Sequence, residues 1–213
     1  MKSEIKIEFS NKKELKKVTV PYLGADGGDF ESNPEHFTSR SLLNGKNLWE
    51  RGVPGSKLST PSSGVNAWKT VLDTLITNLG YKHRSALYTP AFNLSETAKD
   101  YTLNFRLSKD LRFCNAPMGM QAEYSLDGGI NWQTLGSSLS EPGNLNWYSS
   151  GPNLGCSFVD GVFENQMGWG VSSGSNSNIL TQYKLNDFAG EDNISFRFVF
   201  SVDDGWGGGY DVD

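Results

Sequence analysis

Ile194-Ser195-Phe196-Arg197-Phe198-Val199-Phe200-Ser201-Val202 is the stretch that decides the fold. Ile194, Phe196, Phe198 and Phe200 fall on one side; Ser195, Arg197 and Val199 fall on the other. A period of two is the signature of a strand with one face on a core. Working outward, Tyr101, Leu103, Phe105 and Leu107 share one face of a second run, and Met120 to Leu126 alternates around Tyr124. Near the start, Ile5, Ile7 and Phe9 alternate with Glu4, Lys6 and Glu8, and Lys17 to Tyr22 is a further short candidate. Leu42 to Pro54 reads as a strand ending in a loop, and Ala67 to Leu79 as a strand followed by an irregular segment. Well-spaced segments of this kind predict an all-β fold: a two-sheet antiparallel β-sandwich.

The composition agrees. Of 213 residues, 24 are Gly, 18 Asn and 25 Ser, and these are turn formers. The polar stretches from Gly24 to Gly28, Ser56 to Gly64, Gly136 to Gly155 and Gly168 to Asn178 therefore read as turns and long loops. No apolar run approaches the roughly 18 residues of a membrane span, which predicts no membrane insertion. The net charge of −5 argues against a nucleic-acid partner. Two His and two Cys leave little material for a zinc site. The first 20 residues carry six Lys against three Glu, most simply a solvated terminal segment. They lack the apolar stretch of a secretory signal, which says nothing of where the chain works. Residues 1–24 read as a strand or linker, either of this domain or ending a preceding one. Residues 25–213 read as the sandwich, its last strand expected to be cut short in a piece of a longer protein.

The sharpest local pattern is Ser125-Leu126-Asp127-Gly128-Gly129-Ile130-Asn131-Trp132, which fits the Asp-box, S-x-D-x-G-x-x-W. Ser125, Asp127, Gly129 and Trp132 are its turn residues. Asp-Gly-Gly suits a tight hairpin with positive φ, and the Asp carboxylate can hold nearby N–H groups. A sialidase-like propeller needs several boxes and an arginine cluster for a carboxylate. This chain has one box and few arginines, so the structural hairpin is the expectation.

No catalytic residue is assigned, and the chain is read as a non-enzyme. His36 and His83 have no nucleophile at motif spacing, and the chain has no H-E-x-x-H, G-x-S-x-G or phosphate-binding glycine loop. The acidic residues cluster at Asp26, Asp29 and Glu31 and again from Asp187 to Asp213. If the first and last strands pair, these groups meet. Carboxylates grouped in this way suit Ca²⁺, which takes six to eight oxygen ligands; the plain alternative is a solvated acidic rim. Trp147, Tyr148, Trp169 and Trp206 lie in polar loops. Such rings either stack on sugar faces or pin the loops to the sandwich. Cys114 and Cys156 leave one possible disulfide open: a secreted chain permits it, a reducing compartment does not.

The order of the segments carries a resemblance. Gly28-Asp29-Phe30-Glu31 is followed by Leu48-Trp49-Glu50-Arg51-Gly52-Val53-Pro54 and Gly64-Val65-Asn66-Ala67-Trp68-Lys69-Thr70. Then come Ser85-Ala86-Leu87-Tyr88-Thr89-Pro90-Ala91-Phe92-Asn93-Leu94-Ser95, the hairpin, Ile194 to Ser201, Gly205-Trp206 and Gly209-Tyr210-Asp211-Val212-Asp213. Over residues 28–213 the chain resembles the MAM-like and cleaved-adhesin-like jelly-roll modules of large secreted proteins of the Bacteroidota. The resemblance implies a jelly roll, a secreted or cell-surface location and a binding or adhesion role within a larger polypeptide. Its implied partners are a glycan or cell-surface protein and the neighbouring domains. It also implies a structural Ca²⁺, with Asp29 and Glu31 matching the opening pattern and Asp211 and Asp213 the closing one. The alternative role is a carbohydrate-binding module attached to a polysaccharide-active enzyme.

Overall fold

The computed structural model describes residues 30–31, 36–43, 46–54, 61, 64–70, 83–111, 118–137, 142–148, 168–170, 176–202 and 208–212. In chain order the strands are β1 (Thr38–Leu43), β2 (Trp49–Gly52), β3 (Ala67–Thr70), β4 (His83–Phe92) and β5 (Thr102–Leu111). They continue with β6 (Met118–Ser125), β7 (Gln133–Thr134), β8 (Asn176–Lys184), β9 (Ile194–Val202) and β10 (Gly208–Val212). A 3-10 turn, Asn186–Phe188, precedes β9. The strands expected at 4–9 and 17–22, the turn at 24–28 and the domain boundary near residue 24 lie outside the described residues. So do Asp29, Asp213, Cys114, Cys156 and Trp206.

The strands form two five-stranded sheets, ordered β1-β4-β9-β6-β7 and β2-β3-β10-β5-β8. Every pairing among them is antiparallel. From β3 onward, apart from the β6–β7 hairpin, the chain crosses between sheets in the wrapped order of a jelly roll. The closing strand β10 inserts between β3 and β5, while β1 and β2 extend one side of each sheet.

The alternation in β9 works as the sequence predicts. Ile194, Phe196, Phe198 and Phe200 enter the core, joined from β6 by Met120 and Ala122 and from β4 by Leu87. The facing sheet contributes Trp49, Trp68, Phe105, Leu107 and Tyr183. Phe105 and Phe198 meet edge-on across the two layers, centroids 4.9 Å apart.

One reading needs correction: Leu42 to Pro54 is not one strand. β1 ends at Leu43, β2 begins at Trp49, and the two belong to different sheets. Asn47 turns the chain between them. Its amide N–H donates to Ser39 Oγ at 2.7 Å, and its Oδ1 accepts from the Trp49 N–H at 3.2 Å. Trp49 is thereby driven into the core, 2% exposed.

Parts of the long loops are fastened to sheets. Leu145 exchanges both backbone hydrogen bonds with Gln182, so residues 142–148 run along the outer edge of β8. The Asn146 side chain donates to the Leu180 carbonyl at 2.9 Å, and the Lys184 N–H donates to Asn144 Oδ1 at 2.8 Å. An open strand edge is a liability for unwanted pairing, and this segment covers it. Trp169 likewise exchanges two backbone bonds with Met120 beside β6.

Candidate functional site

Of the four loop aromatics, Trp147, Tyr148 and Trp169 lie inside, which favours pinning of the loops over stacking on a ligand, while Trp206 is outside the described residues. Trp147, Tyr148 and Trp169 are 7%, 6% and 1% exposed. They form one cluster with Phe105 and Tyr183: Trp169 is centred 4.9 Å from Trp147 and 4.8 Å from Tyr148, and Trp147 4.7 Å from Tyr183. A ring covered on both sides offers no face to a sugar. Each polar atom is also committed inward. Trp147 Nε1 donates to the Leu135 carbonyl at 3.1 Å, and Trp169 Nε1 to the Asn146 carbonyl at 3.1 Å. The Tyr148 hydroxyl donates to the Ala122 carbonyl and accepts from its N–H, and burial pushes its pKa up. The rings therefore pin the loops. Gly136, where the first loop leaves β7, has φ +80°, and a Cβ there would strike Tyr183 and Trp147.

The Ser125–Trp132 segment is a tight hydrogen-bonded turn. Asp127 Oδ1 accepts from the N–H groups of Ile130 and Asn131 at 3.1 and 2.9 Å, and Ser125 Oγ accepts from Gly129 N–H at 2.9 Å. The Asn131 backbone bond, with Ser125 and the Asn131 amide, holds the Asp127 carboxyl down to about 2. Gly129, at φ +88°, lets Trp132 fold back and donate from Nε1 to its carbonyl at 3.0 Å.

Glu31 is a clamp on the turn that leads into β3. Its Oε1 accepts from the Val65 and Asn66 N–H groups at 2.9 and 2.6 Å, and its Oε2 accepts from the Asn66 side chain. Asp211 sits in register with Lys69 on β3 and with Ser108 on β5. That is three residues beyond the Asn66 anchor, about 10 Å along the strand. Among the described residues no group of three or more His, Cys, Asp and Glu side chains lies together. Asp29, Asp213 and the side chain of Asp211 are outside that set.

What the sequence reading missed is on the outward face of the β1-β4-β9-β6-β7 sheet. Tyr88, Arg197 and Glu123 face one another in a single cross-strand row. Arg197 pairs with the Glu123 carboxylate through Nε at 2.6 Å and through a second nitrogen. Arg84 reaches the same carboxylate from β4 at 3.4 Å, crossing the width of β9 to do so. Arg40, from β1, donates from Nε to the Tyr88 hydroxyl at 2.7 Å. Arg197 approaches that hydroxyl from the other side at 3.4 Å.

Aromatic rings lie against two of the guanidiniums. Arg40 lies 4.9 Å from the Tyr88 centroid and Arg197 4.4 Å from that of Trp132, both cation–π distances. Tyr88 and Trp132 meet edge-on at 5.5 Å, so the Asp-box turn is the wall of this site. The floor is small and apolar: Ala86 and Val199 are fully buried beneath Leu42 and Tyr88. Burial lowers the Arg84 pKa from its ordinary value, Glu123 raises it and Arg197 lowers it further. The polar and apolar positions of this row are legible in the strands' alternation. Their convergence is not, because it depends on register between strands far apart in sequence.

No helix among the described residues is long and apolar enough to cross a membrane, which leaves β-barrels untouched. No protein-family model and no curated protein matches the chain. Among solved structures the chain is similar to the K1 cleaved adhesin domain of Lys-gingipain from Porphyromonas gingivalis W83. The two share 12% identity over 84% of this chain and 91% of that one, with a TM-score of 0.37.

Proposed function

We propose that this chain is a non-catalytic binding module of a larger secreted or cell-surface protein, which holds a glycan or surface-protein partner on the outward face of the β1-β4-β9-β6-β7 sheet. The observation that carries the reading is the Arg40–Tyr88–Arg197–Trp132 assembly, in which ring contacts fix cationic groups at a surface. Groups held rigidly before binding lose little freedom on binding. The ordered sequence resemblance over residues 28–213 supports the extracellular setting.

The test is a glycan array and intact cells probed with labelled chain. Saturable binding is expected, with the bound glycan recovered at unchanged mass. A changed mass would overturn the non-catalytic reading, and a blank array with no cell binding would overturn the module itself.

A structural Ca²⁺ belongs to the same reading, with ligands from Asp29, Glu31, Asp211 and Asp213. Supporting it are the acidic residues clustered in two stretches of the sequence and the pairing of β10 with β3, the strand whose leading turn Glu31 clamps. A cation bound only to the native state at 100 times its Kd adds roughly 2.7 kcal/mol. For a domain of this size the unfolding midpoint should rise by roughly 5 to 10 °C in millimolar Ca²⁺ over chelator. Superimposable melting curves would leave Glu31 as a turn clamp alone.

A further inference from the structure

We propose that Arg40, Arg84 and Arg197 form a recognition site for the carboxylate of an acidic sugar, so that the glycan this module takes is a uronate-bearing polysaccharide. The inference rests on the glycan reading above and names its chemistry.

Two guanidiniums, those of Arg84 and Arg197, converge here on one carboxylate, Glu123, and Arg40 joins the row through the Tyr88 hydroxyl. The row thus gathers three of the chain's guanidiniums on one face, in a chain whose net charge is −5. Like charges held side by side repel, and Arg197 already depresses the Arg84 pKa. An incoming oxyanion relieves that repulsion.

Arg40 is exposed, and its Nε is engaged by the Tyr88 hydroxyl while its guanidinium carbon sits 4.9 Å from the Tyr88 ring centre. This leaves its two terminal nitrogens as a planar fork, the group that matches a carboxylate with two parallel hydrogen bonds. Among the described residues no carboxylate pairs with Arg40. Arg84 keeps 26% of its side chain exposed, so it stands at the same surface.

The neighbouring rings favour a sugar over an acidic peptide. Tyr88 and Trp132 are half-buried, so each stays partly accessible at this face. A pyranose ring with an equatorial carboxylate presents an apolar face and a planar anion in that same juxtaposition. An extended peptide would instead seek a strand edge.

The experiment is calorimetric titration with a panel of uronate oligosaccharides, matched neutral oligosaccharides and polyglutamate. Uronate binding is expected, weakening as salt rises. Arg40→Ala should weaken it roughly ten- to a hundredfold, the range for hydrogen bonds to a charged group. Arg40→Lys should recover only part, because an ammonium has no fork. Arg106→Ala removes an exposed arginine from the other sheet and should change nothing. Arg40 is exposed and outside the core, so its variants fold. Equal binding of neutral sugars, indifferent to Arg40→Ala, would overturn this inference and leave the glycan module standing. Arg40-dependent binding of polyglutamate without uronate binding would also overturn it. Binding of none of the three would remove both.

Discussion

Trp169→Ala is expected to cost about 3–5 kcal/mol of stability, the range for emptying a buried Trp site. Trp169 is 1% exposed and touches Trp147, Tyr148 and Phe105. Its removal leaves a cavity walled by rings that are themselves pinned by hydrogen bonds, so the site cannot collapse around it. It also leaves the Asn146 carbonyl without its indole donor. At roughly 2–4 °C per kcal/mol, the unfolding midpoint should fall by roughly 6–20 °C. The measurement is urea denaturation of both proteins at matched temperature. A loss under about 1 kcal/mol, the scale of an ordinary surface substitution, would mean that Trp169 is exposed in solution and would reopen the sugar-stacking reading of the loops. Trp147→Ala should behave alike. Its ring packs on Tyr183 and Phe105, and its N–H holds the Leu135 carbonyl.

These tryptophans show where local sequence stops informing. Trp147 and Trp169 lie among Gly, Asn and Ser, a composition that reads as exposed loop. Whether a ring in such a loop turns outward or inward is decided by how the loop docks. Here Asn146 and Tyr148 adopt positive φ, and the chain turns its rings inward against β5 and β8. Positive φ is unusual for a tyrosine, and no pattern in the sequence announces it. β9, by contrast, was legible because four large side chains at period two have only one way to share a core. β5 was legible for the same reason, although its strand runs from Thr102 to Leu111 rather than starting at Tyr101. β7, with two residues, is too short to carry a period. β1 and β2 read as one segment in the sequence because Asn47, a side chain that bonds its own neighbours, is invisible to a hydropathy pattern.

The arginine row is the sharper case. Arg197 stands out of phase with the β9 core residues, so its outward direction was plain from the sequence. That it meets Glu123, Arg84 and Tyr88 depends on β9 lying between β4 and β6, an arrangement set by the wrapped topology. The sequence also showed few arginines. Scarcity argued against a cluster, yet three of them share one face.

Glu123 is the hinge of that face, and Glu123→Gln should be the most damaging substitution there. Its side chain is 8% exposed and that of Arg197 11%. Gln keeps the shape and removes the charge. Two guanidiniums then face a neutral amide, and Arg197 has little water to turn to. Breaking a buried pair from one side costs about 3–5 kcal/mol. Arg84→Gln should cost far less, about 1 kcal/mol or under, because Arg84 is more exposed and Glu123 keeps Arg197. The double variant Glu123→Leu with Arg197→Met should recover most of the loss, since it leaves neither charge stranded. Denaturation curves of the two single variants and the double variant decide the matter. The Glu123→Gln loss should persist at high salt, because a buried pair is screened little. A Glu123→Gln protein within about 1 kcal/mol of the parent, against the 3–5 expected, would mean that water reaches Arg197 freely. In that case Arg197 would be as open to water as Arg40, and Glu123 would serve to temper its charge rather than to hold the sheet together.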